Sequence, residues 1–194
     1  MTAPSRPNAA SNLRWWANSL TIGRAVAGLP LVLLLQLGQP ALAWLLLLLA
    51  GLSDAADGWL ARKAGGGSSW GARLDPLADK LLLAAPMIWL ASNNAPEAIQ
   101  LPVWAIWLLL ARELLISGWR AGAPAGGPAS RGGKAKTILQ FMSVLLLLWP
   151  SGWGSESFCE SMQQLGWLMF WPSLIIALTS ATAYLKPRSK PDRN

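Results

Sequence analysis

Residues 40–92 read PALAWLLLLLAGLSDAADGWLARKAGGGSSWGARLDPLADKLLLAAPMIWLAS. Two apolar runs, 40–62 and 72–92, flank a polar centre. Each is long enough for a helix that crosses a bilayer core, which takes about 20 apolar residues. Their inner ends carry four aspartates, Asp54, Asp57, Asp75 and Asp79. The first pair is spaced i, i+3 and the second i, i+4, so on helices each pair shares one face. A helix entering at residue 40 reaches Asp54 after about 21 Å, at ~1.5 Å per residue. That depth is just inside the far boundary of a core roughly 30 Å thick. Asp75 and Asp79 reach a matching depth after the short Gly-rich connection Ala64 to Gly71. Such a connection predicts antiparallel neighbours whose carboxylate pairs face each other.

Outward from this centre, four more runs have spanning length: 20–37, 100–120, 134–150 and 164–186. The chain therefore reads as an all-α integral membrane protein of six transmembrane helices, a single domain of 194 residues with 53% hydrophobic and 13% charged residues. The first span lacks a small-residue cleavage site and leads straight into a second apolar run, which argues against a signal peptide. The segment Asn12 to Leu20, with Arg14-Trp15-Trp16, fits a short interfacial helix or an extended lead-in. The polar, Pro-containing segments 1–11 and 187–194 read as disordered tails around a membrane domain of residues 12–186. Ala121 to Gly133 reads as a flexible loop.

The net charge of +7 is explained by where the cations fall. All 16 Lys and Arg residues lie in or beside the tails and the connections between spans two and three and between four and five. The other three connections carry only Glu97, Glu156 and Glu160. By the positive-inside rule both termini and both basic loops are cytoplasmic. The charge is thus an orientation signal for a lipid bilayer, and no nucleic-acid partner is expected. Eleven of the 13 tryptophans fit the same scheme. Trp15, Trp16, Trp59, Trp70 and Trp119 fall near the cytoplasmic interface, and Trp44, Trp89, Trp104, Trp149, Trp153 and Trp167 near the other.

The chemistry is narrowed by what is missing. With no histidine and the single Cys159, His-based catalysis, His-ligated metals and multi-thiolate zinc sites are excluded. Four carboxylates at a membrane boundary repel one another and resist ionisation. Two divalent cations balance them, and an all-oxygen ligand set favours hard ions, Mg²⁺ or Mn²⁺, with Ca²⁺ a further choice. Two adjacent metals suit a substrate with bridging phosphate oxygens. A plainer explanation, solvated helix ends paired with Arg62, Arg73 and Lys80, suits one aspartate pair better than four in register. Intramembrane carboxylates are costly and usually functional. A divalent-cation transporter is an alternative, although the aspartates sit near one surface and no broken midplane helix is evident. A non-catalytic scaffold has no need of four such carboxylates.

The string Asp54-Ala-Ala-Asp57-Gly58-Trp-Leu-Ala61-Arg62, eight residues, then Gly71-Ala-Arg-Leu-Asp75-Pro-Leu-Ala-Asp79 matches D-x₂-D-G-x₂-A-R-x₈-G-x₃-D-x₃-D at every fixed position. In this the chain resembles the CDP-alcohol phosphatidyltransferase family. Further elements resemble its phosphatidylglycerophosphate synthase branch: Asn18-Ser-Leu-Thr21-Ile-Gly-Arg24 followed by Pro30, Asp79-Lys80-Leu81, Ala111-Arg112-Glu113 with Arg120, and Gly133-Lys134-Ala-Lys136-Thr137. The similarity covers roughly residues 18–150, and the final span matches no motif.

The resemblance implies CDP-diacylglycerol as donor, sn-glycerol 3-phosphate as acceptor and two Mg²⁺ or Mn²⁺ ions. It implies Asp54, Asp57, Asp75 and Asp79 as metal ligands, with Asp79 also the general base. Asn18, Thr21, Gly58, Arg62, Ser68 and Gly71 are then expected near the CDP moiety. Arg112, Arg120, Lys134 and Lys136 are candidates for the acceptor phosphate, weighed against snorkelling cations that only fix topology. Glu113, within the fourth span, calls for a cationic partner. Inositol phosphate, serine and phosphatidylglycerol are the alternative acceptors. The resemblance further implies a homodimer in the bacterial inner membrane, with the active site facing the cytoplasm.

Overall fold

The computed structural model describes residues 9–63, 71–92, 99–121 and 131–185. These hold six α-helices and no strand: α1 Ala9–Gln36, α2 Pro40–Lys63, α3 Gly71–Ala91, α4 Val103–Ala121, α5 Arg131–Leu147 and α6 Glu156–Leu185. Each coincides with one of the six runs expected from the sequence. Asn18–Gln36 is the described segment that is long and apolar enough to cross a membrane by itself, while Pro40–Asp54 and Lys136–Leu147 are apolar but shorter. Charged side chains within α3, α4 and α5 interrupt their apolar runs.

Local chemistry sets the helix ends. The α1–α2 turn is a Schellman motif: Gln39 N–H donates to Leu34 C=O at 2.8 Å and Gly38 N–H to Leu35 C=O at 3.1 Å. Gly38 takes φ +69°, which needs no Cβ, and Pro40 then opens α2 where a missing N–H costs nothing. Ser155 caps α6, its Oγ accepting from Phe158 N–H at 3.3 Å.

Two helices are longer than their apolar runs. α1 begins at Ala9, inside the tail expected to be disordered, so Asn12 to Leu20 continues the first helix and is neither an extended lead-in nor a separate interfacial helix. No breaker separates the two segments, and Ala, Leu and Arg favour helix. α6 begins at Glu156, eight residues before the expected 164, because Ser155 starts the helix ahead of its apolar part. Residues 1–8, the loop near 125 and the tail 187–194 lie outside the described residues.

The packing corrects one expectation. Among the described residues α1 packs extensively on both α2 and α3, which touch each other only marginally. Small residues permit this. A Cβ on Gly28 of α1 would stand 2.9 Å from Ala85 Cβ and 3.3 Å from Leu81 C=O of α3. α5 pairs with α6, and α4 sits against α6 and α3. One apolar core joins all six helices, with Leu31, Leu47, Met87, Leu109, Leu147 and Phe170 fully enclosed. Large apolar side chains also face outward on every helix, among them Leu29, Leu49, Leu81, Trp107, Ile138 and Ile175.

At one point α6 approaches the backbone of α5 closely. Ser143 Oγ donates to Gly166 C=O at 2.7 Å, and a Cβ on Gly166 would meet Leu147 N and Ser143 O at 2.8 Å each. Backbone cannot yield as a side chain can, so Gly166→Ala is expected to destabilise by about 1–3 kcal/mol, the usual range for overpacking. Gly23→Ala, where the new Cβ meets nothing within 4 Å, serves as the control. Thermal unfolding in detergent, followed by tryptophan fluorescence, checks both.

Candidate active site

Three helices deliver the first cluster. Asn18, Thr21 and Arg24 follow one another at three-residue spacing on α1, which places successive members side by side. Thr21 and Arg24 are buried. Arg24 Nη1 donates to Asp54 Oδ1 on α2 at 2.6 Å and also to Asp79 Oδ1 on α3. One guanidinium nitrogen therefore carries a carboxylate from each of two helices. The Arg24 side chain is 0% exposed, whereas those of Asp54 and Asp79 are 57% and 36% exposed. The carboxylates thus lie at an accessible rim with a buried cation beneath them.

Asp57 and Asp75 lie on the same two helices, three residues after Asp54 and four before Asp79. Their side chains, and those of Gly58, Arg62, Arg120 and Lys134, fall outside the described residues, as does Ser68 altogether. Gly71 is the first residue of α3.

A second cluster starts one residue along α3. Lys80 Nζ donates to Ser117 Oγ on α4 and stands 3.9 Å from Glu113 Oε2. Glu113 Oε1 accepts from Arg112 Nη1 at 2.7 Å and from Lys136 Nζ of α5. Arg112 Nη2 is tied to Ser180 Oγ of α6 at 2.7 Å. Ser117 Oγ donates to Glu113 C=O at 2.6 Å. Of the four acceptor-phosphate candidates, the structure brings together Arg112 and Lys136. Both are enclosed within the bundle, so neither is a snorkelling cation at a helix end. Glu113 has the cationic partners its position demands.

Sequence reasoning left three residues out of the site. Arg24 and Lys80 were read as flanking cations within motifs, and Glu113 only as a group needing a partner. All three are ionisable residues inside apolar helices, which is itself a signal of function.

A model of the CDP-alcohol phosphatidyltransferase family matches residues 14–179. The chain belongs to the CDP-alcohol phosphatidyltransferase family. It is 32% identical over 180 residues to a CDP-diacylglycerol–glycerol-3-phosphate 3-phosphatidyltransferase of Rickettsia bellii, covering 89% of this chain and 94% of that one. The enzyme of the same name from Shigella flexneri is 32% identical over 153 residues, 76% of this chain and 78% of its own. CDP-alcohol phosphatidyltransferases are membrane-associated and generally depend on divalent metal. Both charged clusters lie within the matched residues.

Removing Arg24 leaves two carboxylates facing each other without their shared cation. Breaking a fully buried pair costs about 3–5 kcal/mol. With Asp54 and Asp79 partly exposed, Arg24→Met is expected to lower stability by about 2 kcal/mol, because solvent screens what the guanidinium no longer neutralises. Thermal unfolding in detergent and chelator measures the loss; an unchanged midpoint contradicts it.

Proposed function

We propose that this enzyme transfers the phosphatidyl group of CDP-diacylglycerol to sn-glycerol 3-phosphate, giving phosphatidylglycerophosphate and CMP. The observation that carries the reading is the junction at Asp79-Lys80. A carboxylate cluster and a phosphate-suited cation cluster occupy consecutive residues of one helix. The named activity of the relatives supports the same substrates.

The residues fit a hard divalent cation. Asp54 and Asp79 arrive from different helices at a single cationic nitrogen, and all four candidate ligands are carboxylates. Asp54, Asp57, Asp75 and Asp79 would hold two ions, Mg²⁺ or Mn²⁺. Bound there, the metal neutralises the pyrophosphate and stabilises the charge that develops on it.

The chain's own residues do the rest. Asp79 accepts the proton of the glycerol 3-phosphate hydroxyl through a carboxylate oxygen. The hydroxyl oxygen bonds to the phosphorus that carries diacylglycerol, and the bond from that phosphorus to the CMP oxygen breaks. Arg112 and Lys136, with Arg120 and Lys134 of the same motifs, hold the acceptor phosphate. Asn18, Thr21, Gly58, Arg62, Ser68 and Gly71 line the CDP side.

In this reading six helices span the bacterial inner membrane, with both termini and the active site on the cytoplasmic side. Outward-facing Leu, Ile and Trp on every helix support a lipid environment, since soluble monomers seldom expose so much apolar surface. Trp44, Trp149 and Trp153 stack edge-to-face at the start of α2 and around the α5–α6 connection, the end of α2 away from Asp54. That arrangement supports an aromatic belt on the outer side. The homodimer implied by family resemblance belongs to the same reading. Serine as acceptor is disfavoured, because it offers the cations no phosphate.

Purified protein in mixed micelles with CDP-diacylglycerol and Mg²⁺ is expected to release CMP only when glycerol 3-phosphate is added. Release with serine but not glycerol 3-phosphate would sink the proposal. Chelator is expected to abolish the activity and Mg²⁺ or Mn²⁺ to restore it. Asp79→Asn is expected to lower kcat by at least about 10²-fold, the lower end of general acid–base contributions, while the protein stays folded in detergent.

A further inference from the structure

The cluster around Glu113 has a composition that packing does not require. Three cations from three helices, Lys80 of α3, Arg112 of α4 and Lys136 of α5, converge on one carboxylate. Glu113 and Lys136 are 12% and 6% exposed. An apolar bundle has cheaper ways to join helices than by enclosing four charges. Two of the cations are also fixed from a second side: Arg112 by Ser180, and Lys80 by Ser117, which is itself held by the Glu113 backbone. These cations are therefore oriented as well as paired.

Among the described contacts, cations outnumber the carboxylate they share, an arrangement that suits an anionic phosphate better than a zwitterionic amino acid. Without the carboxylate, three enclosed cations would repel one another and the array would spread.

We propose that Glu113 is the positioning residue of the acceptor site, assembling Lys80, Arg112 and Lys136 into one array suited to a phosphate. Lys80 is the link: it belongs to this array, and its neighbour Asp79 belongs to the carboxylate cluster. A phosphate held by the array is thereby held beside the carboxylate that takes the hydroxyl proton. The proposal rests on the acceptor reading given above.

Steady-state kinetics of Glu113→Gln test it. KM for glycerol 3-phosphate is expected to rise at least about tenfold, the size expected when charged hydrogen-bond partners are lost. KM for CDP-diacylglycerol is expected to change less than about twofold, since that substrate meets the other cluster. Glu113→Asp, which keeps the charge, is expected to recover part of the loss. A merely structural role would instead lower kcat for every substrate and leave both KM values alone. An unchanged or lowered KM for glycerol 3-phosphate overturns the proposal. Should Glu113→Gln fail to fold, Lys80→Met carries the test: the more exposed Lys80 is expected to tolerate replacement, with KM for glycerol 3-phosphate raised in the same way, and an unchanged KM overturns the proposal. Failure of the acceptor reading is separable, because wild-type protein would then show no glycerol 3-phosphate-dependent CMP release.

Discussion

A single buried guanidinium holds the reactive end of this molecule together. Arg24 lies on α1, which packs on both α2 and α3, and it carries Asp54 and Asp79 on the same nitrogen. Those two helices have little direct contact among the described residues, and α1 brings one cation to both carboxylates. Close approach of α1 to α3 at Gly28 makes that reach possible. The chemistry of the site thus depends on a small residue one turn along the helix from the arginine.

The two charged clusters divide the bundle between them. The Arg24 cluster ties α1, α2 and α3, and the Glu113 cluster ties α3, α4, α5 and α6. They meet on α3, at Asp79 and Lys80. Such a division suits the proposed transfer between two anionic substrates, in which one region would handle the pyrophosphate and the other the phosphate. Consecutive positions on one helix keep the regions adjacent while aiming their side chains about 100° apart. At the far end of the bundle, edge-to-face tryptophans replace ion pairs as the link between α2, α5 and α6.

Much of this was legible in the sequence. Apolar run length placed six helices, and the aspartate spacing together with its flanking glycines carried the family. Arg112 and Lys136 entered through their motifs, and Glu113 as a carboxylate inside the fourth span. Other features were not legible, for physical reasons. Hydropathy marks where a helix becomes polar and not where its backbone stops, so the starts of α1 and α6 were placed late. Helix adjacency is decided by small-residue contacts such as Gly28 with Ala85, which connection length does not encode. A short loop suggested that α2 and α3 were neighbours; it did not reveal that α1 packs on both more extensively than they pack on each other among the described residues. Arg24 and Lys80 looked like topology markers because a cation near a helix end reads the same whether it faces water or a carboxylate.

The central claim is that Arg24 couples the two aspartate-bearing helices, and a double-mutant cycle measures that coupling directly. Arg24→Met, Asp79→Asn and the double variant would be unfolded thermally in detergent with chelator present. A coupling energy of at least ~0.5 kcal/mol, the lower end for residues in contact, is the result the structure requires. Additive losses, with no coupling between the two positions, would contradict it.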